Sequence, residues 1–114
     1  MKAKDLDVQV KLVIVPPSAV PFGPALGKGV VELCRRVDDF GSLNKAAKDM
    51  GMSYSKAWRI MKGAEEGFGF ELLLRNGPKG SVLTEDARKL VEAYGRAEQA
   101  ASDAARASLV ESLS

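Results

Sequence analysis

The chain holds no histidine and only one cysteine, Cys34, in 114 residues. A zinc centre built from Cys and His ligands is therefore excluded. Neither a Ser/His nor a Cys/His catalytic pair can be assembled, and no convincing carboxylate pair replaces them, so an enzyme is not expected. A lone cysteine cannot close an intramolecular disulfide, and nothing calls for an oxidising compartment. Aromatics are scarce, with four Phe, two Tyr and one Trp. No apolar stretch approaches the roughly 20 residues of a membrane-spanning helix. The charged start Met1-Lys2-Ala3-Lys4-Asp5, with a short apolar run behind it, lacks the form of a signal peptide. The cytoplasm is the expected location, with no membrane partner. Net charge is only +2, so the placement of charge informs about nucleic acid and its magnitude does not.

What is present is a chain 46% hydrophobic and 28% charged, a balance that folds as one domain or one domain with an appended helix. Val8 to Val15 is β-branched, partly alternating and stopped by Pro16-Pro17, which predicts a strand. The proline-rich stretch from Pro16 to Pro24 reads as an ordered turn. From Gly27 to Phe40, the residues Val30, Val31, Leu33, Cys34, Val37 and Phe40 follow the spacing of an amphipathic helix, with Cys34 a core residue. The glycines of Gly23-Pro24-Ala25-Leu26-Gly27-Lys28-Gly29 outline a phosphate loop. The spacing is one residue short, and glycine stands where Ser or Thr should bind magnesium, so no nucleotide site and no cofactor is expected.

Ser42 suits the cap of a short helix with Leu43, Ala46, Ala47 and Met50 on one face, closed by Gly51. Ser53 caps a second helix, with Ala57, Trp58, Ile60 and Met61 expected inward and Gly63 and Gly67 weakening and ending it. Phe70 to Leu74 and Ser81 to Leu83, around Asn76-Gly77-Pro78-Lys79-Gly80, predict a hairpin. Thr84 caps a last helix reaching about residue 110. Asp38-Asp39 and Glu65-Glu66 read as solvated surface, because adjacent helical residues do not converge.

Two helices across a tight glycine turn are the parts of a helix-turn-helix. Small residues Ala46, Ala47 and Ala57 permit a close crossing, and Met50, Met52, Trp58 and Met61 serve as apolar anchors. The outward face of the second helix is then Tyr54, Ser55, Lys56, Arg59 and Lys62, basic and polar with no acid between Ser53 and Lys62. Arg59 and Lys56 can donate to guanine or phosphate, and Ser53 and Ser55 can bond either. The hairpin would act as a wing offering Arg75, Asn76, Lys79 and Gly80 to the backbone or minor groove.

The segment Gly41-Ser42-Leu43-Asn44-Lys45-Ala46-Ala47-Lys48-Asp49-Met50-Gly51-Met52-Ser53-Tyr54-Ser55-Lys56-Ala57-Trp58 resembles the DNA-binding domain of the ModE family of molybdate-responsive regulators, a LysR-type winged helix. The likeness extends through Phe22-Gly23 to Leu33, through Leu72-Leu73-Leu74-Arg75 and through Leu83-Thr84, covering about residues 10 to 100. It implies DNA contacts from Ser42, Lys45, Ser53, Tyr54, Ser55, Lys56 and Arg59. Two departures stand out. Asn76 to Gly80 is shorter than the family's usual wing, and these 114 residues leave no room for an oxyanion-binding domain. The resemblance implies transcriptional regulation; molybdate binding within this chain is not expected.

Leu90, Val91, Tyr94, Ala97, Ala101 and Ala105 form a small-residue stripe of nearly heptad spacing on the last helix. Such a stripe suits pairing with a second subunit, and LysR-type domains dimerise this way by analogy. Gly95 marks a bend or a crossing point. The expected fold class is mainly α with a small β component: a winged helix-turn-helix with an N-terminal strand, a wing hairpin and a long C-terminal dimerisation helix. Residues 1–84 form the DNA-binding domain, with the helix-turn-helix at about 42–66 and the wing at about 70–83. Residues 85–114 form the dimerisation helix. The expected function is sequence-specific regulation by a homodimer on palindromic double-stranded DNA. The alternative is a protein-interaction or dimerisation module, or a non-specific DNA binder, without effector sensing.

Overall fold

A computed structural model describes residues 2, 5–16, 26–75 and 80–114. The proline-rich turn after Pro16, the first residues of the glycine-rich segment, and the wing tip Asn76-Gly77-Pro78-Lys79 lie outside the described residues. The elements are α1 (Lys28–Phe40), α2 (Leu43–Asp49), α3 (Tyr54–Phe68), β1 (Leu73–Arg75), β2 (Ser81–Leu83) and α4 (Glu85–Leu113). The protein is mainly helical, with one small antiparallel hairpin in which Leu73 faces Leu83, Leu74 faces Val82 and Arg75 faces Ser81.

The apolar stripe of α1 forms the centre of the core, with Val31, Leu33, Cys34 and Val37 all sealed from water. Against it sit Leu43, Ala46 and Ala47 of α2, Ala57, Met61 and Ala64 of α3, and Ala87 and Tyr94 of α4. Ala46, Ala47 and Ala57 have no exposed surface, as a close crossing of α2 over α3 requires. Burial pushes the Cys34 thiol up to about 12, with the negative charge of Glu65 adding to the effect.

Hydroxyl caps open three of the helices. Ser42 accepts from the Lys45 N–H, Ser53 from the Lys56 N–H and Thr84 from the Ala87 N–H. Gly51 reverses the chain after α2 at φ 71°, a left-handed conformation that favours glycine. Thr84 also donates to the Glu71 carbonyl, so one side chain both starts α4 and fixes the hairpin's entry.

Several expectations need correction. Val8 to Val15 is extended, with alternate residues turned inward, but among the described residues it pairs only through a single bridge between Ile14 and Leu26. It runs beside α4 instead: the Tyr94 hydroxyl donates to the Leu12 carbonyl and Arg106 reaches Asp7. With a helix for a neighbour, this β-pattern has no strand among the described residues to complete a ladder. The third helix passes through Gly63 and Gly67 and stops at Gly69, because packing of Met61 and Ala64 outweighs glycine's poor helix propensity. At Gly95, expected as a bend or a crossing point, α4 runs on unbroken and α1 approaches it. The glycine's bare backbone accommodates the Arg35 guanidinium, which would lie 3.3 Å from an added Cβ.

Candidate nucleic-acid interface

Three elements meet on one side of the molecule: the start of α2, the outer face of α3 and the hairpin. Their relative placement comes from the core beneath them. Ala57, Met61 and Ala64 pin the inner face of α3, and helical periodicity then turns Tyr54, Ser55, Lys56 and Arg59 outward, all exposed. Ser53 is exposed at the cap and Lys45 on the first turn of α2, whereas Ser42 is half-buried at its own cap. Arg75 is exposed at the end of β1. Together, Tyr54, Arg75, Ser42, Leu43, Asn44, Gly80 and Ser81 line one shallow cavity of about 200 Å³ between α2, α3 and the hairpin. Asn76 and Lys79 lie outside the described residues.

The hairpin is tied to the helices through its backbone amides at two places. The Ser81 N–H donates to the Gly41 carbonyl at 3.0 Å, at the corner between α1 and α2. At its other strand, Glu65 of α3 accepts from the Leu72 N–H at 2.7 Å and the Leu73 N–H at 3.2 Å. Glu65 was expected in solvent, yet its side chain is only 9% exposed. Burial acts to raise its pKa, but the Leu72 N–H, the Lys62 ammonium and the Leu73 N–H together hold the carboxyl below its ordinary value. Sequence offered a faint cue, since Glu65 lies four residues beyond the inward Met61 and so shares its face.

Electrostatically the surface is one-sided. Lys45, Lys56, Arg59 and Arg75 form no ion pair among the described residues. Lys62 differs: its Nζ lies 3.1 Å from Glu65 and 5.7 Å from the Trp58 ring centroid. A further correction concerns Trp58. Expected inward, it is 40% exposed on the outer face, while Ile60 is only partly covered. Trp58 follows Tyr54 by four residues and shares its outward row, and the small Ala57 occupies the position against α2 that a tryptophan would overfill.

The six residues of the expected α4 stripe differ in exposure. Tyr94 is 1% exposed and bonded to Leu12, and Leu90 and Val91 pack on the domain's own core. Ala101 and Ala105 are half-buried, leaving Ala97 exposed. The first turns of α4 complete the core above α1, so their apolar row is already occupied. Ala93, Ala97, Ala100, Ala104 and Ala107, another row at alternating 4-3 spacing, are exposed instead.

Among the described residues no helix is long and apolar enough to cross a membrane. No curated protein matches the chain. Residues 30–88 match the family model of bacterial regulatory helix-turn-helix proteins, lysR family. The matched stretch runs from the first turn of α1 to the first turn of α4 and contains α2, α3 and the hairpin. A capped helix pair crossing on alanines, a free basic face and a match over more than half the chain agree: the protein belongs to the lysR family of bacterial regulatory helix-turn-helix proteins, DNA-binding regulators of transcription.

Proposed function

We propose that this chain is a ModE-like reader that binds a palindromic DNA site as a homodimer. In this reading residues 1–84 are the reading head and residues 85–114 the dimerisation helix. The carrying observation is the outer face of α3, where Tyr54, Ser55, Lys56 and Arg59 are exposed together with no carboxylate among them. An α-helix fits the major groove, and the first residues of such a helix reach base edges. Arg59 and Lys56 donate to guanine or phosphate, Ser53 and Ser55 fix the register, and Tyr54 meets sugar or phosphate. Lys45 and the half-buried Ser42 approach the backbone from α2, and the wing adds Arg75, Asn76 and Lys79. Lys62 supports the face through Glu65 and Trp58. The G-S-x-x-x-A-A-K-x-x-G-x-S-Y-x-x-A-W pattern of residues 41–58 supports the ModE-like assignment.

Two-fold pairing of α4 supports the palindrome. The helix has 29 residues, and exposed Ala93, Ala97, Ala100, Ala104 and Ala107 permit close approach of a second copy. Leu109, Val110 and Leu113 leave apolar surface at its far end. Two heads related this way read half-sites about 34 Å apart or a multiple of it.

Selection of bound sequences from a random DNA pool tests this. A palindromic consensus is expected, with affinity falling steeply as salt rises because neutralised phosphates release counterions. Arg59→Ala should cost ~1–3 kcal/mol and relax one position of the consensus. A flat salt dependence without consensus would identify a protein-interaction module instead. A consensus with no dyad would leave DNA reading in place and remove the two-fold dimer.

A further inference from the structure

Trp58 leaves 40% of its surface in water on the outer face of α3, although tryptophan gains more than most side chains by leaving it. Tyr54, one turn earlier, is exposed as well, and the i,i+4 spacing puts both residues on the same face of the helix. With Ser55, Arg59 and Arg75 they line an open cavity of about 320 Å³ that has no carboxylate in its wall. The Lys62 ammonium lies over the indole, 5.7 Å from its centroid, and is itself held by Glu65, so the ring has a partner within its own domain.

Two rings in a trough flanked by guanidiniums that form no ion pair among the described residues suit an apolar group carried on a polyanion. Base faces are stacked out of reach within the duplex. The apolar feature of the major-groove edge is the 5-methyl group of thymine. We propose that Trp58, together with Tyr54, forms a pocket for a thymine 5-methyl group, making Trp58 a specificity-determining residue of this reading head. Arg59 and Arg75 supply the charge that holds the duplex over the pocket. The proposal rests on the major-groove docking of α3, and its test separates the two.

Each thymine of the selected site is replaced in turn by deoxyuridine, which removes only the methyl group. At one position per half-site, wild-type binding should weaken about four-fold, the effect of one methyl returned to water. At that position Trp58→Gln should bind the thymine and uracil forms equally. The comparison is a ratio within one variant, so a partial loss of folded protein cancels. Trp58 is the sole tryptophan, and its fluorescence should change more on binding thymine DNA than the matched uracil DNA. Should Trp58→Gln fail to fold, the wild-type scan and the fluorescence difference decide the matter. A flat uracil scan with intact sequence-specific binding overturns the methyl pocket and leaves the docking of α3 standing. A thymine preference that persists in Trp58→Gln does the same. Absence of sequence-specific binding overturns both.

Discussion

The carboxylate of Glu65, in the last turn of α3, accepts the backbone N–H of Leu72 at 2.7 Å, and this bond joins α3 to the start of the hairpin. The same oxygen takes the Leu73 N–H, while the other carboxylate oxygen meets Lys62. Through Lys62 the contact also reaches Trp58. One largely buried acid thus orients the wing strand and an outer-face aromatic together.

Replacing it should show first in stability. Hydrogen bonds to a charged group contribute about 1.5–3 kcal/mol, so Glu65→Ala should lose stability of that order in urea denaturation, and Glu65→Gln, which keeps an acceptor, somewhat less. The pH dependence follows from the sign of the shift. The folded carboxyl titrates below its ordinary value of 4.5, so its contribution is fully present above that value and disappears as pH falls through the folded pKa. Acid unfolding curves of Glu65→Gln should therefore be flatter than wild type below about pH 4.5. Equal slopes would mean that the carboxylate contributes nothing there.

Gly80 lies against the corner between α1 and α2. Its φ is 103°, and an added Cβ would fall 2.1 Å from the Gly41 carbonyl oxygen, which also receives the Ser81 N–H. Neither backbone can yield cheaply. Gly80→Ala should cost at least about 1–3 kcal/mol, the range for a residue forced into an unfavourable conformation. Hydrogen exchange should locate the loss at the Ser81 amide. Full protection of that amide in the variant would show that the corner adapts.

Tyr94→Phe removes only the hydroxyl that donates to the Leu12 carbonyl at 2.9 Å. About 1 kcal/mol of stability should be lost, the usual contribution of one neutral hydrogen bond. The oligomeric state by sedimentation should be unchanged, because Tyr94 is enclosed in its own domain. A shift toward monomer would return Tyr94 to the subunit interface.

Cys34 should be inert. A thiol buried in the core and raised to about 12 offers almost no thiolate at neutral pH. Alkylation by iodoacetamide at pH 8 should proceed only through global unfolding and become fast in denaturant. Rapid modification of the native protein would contradict the packing around α1.

Where periodicity and caps carried the information, sequence sufficed. Ser42, Ser53 and Thr84 each announced a helix start through a hydroxyl that only needs a neighbouring amide. The α1 stripe with Cys34, the glycine turn at Gly51 and the exposed row Tyr54, Ser55, Lys56 and Arg59 follow from spacing along one helix, which is local. The order of the helices and the hairpin was legible for the same reason, whereas the LysR-type likeness came from the motif of residues 41–58.

Tertiary structure decided which apolar rows meet which partners. Val8 to Val15 has strand chemistry but lies against α4, since a ladder needs a second strand that sequence cannot supply. Trp58 and Tyr94 exchanged roles: hydrophobicity placed both on faces to be covered, but only Tyr94 found core around it. Glu65 looked like surface because its two amide partners come seven and eight residues later, from a hairpin whose approach depends on the whole core. Sequence by itself determined the helices, their caps and the basic outer face. Only the packed fold decided which side of each helix was covered and which was left exposed, because burial depends on neighbours that are distant along the chain.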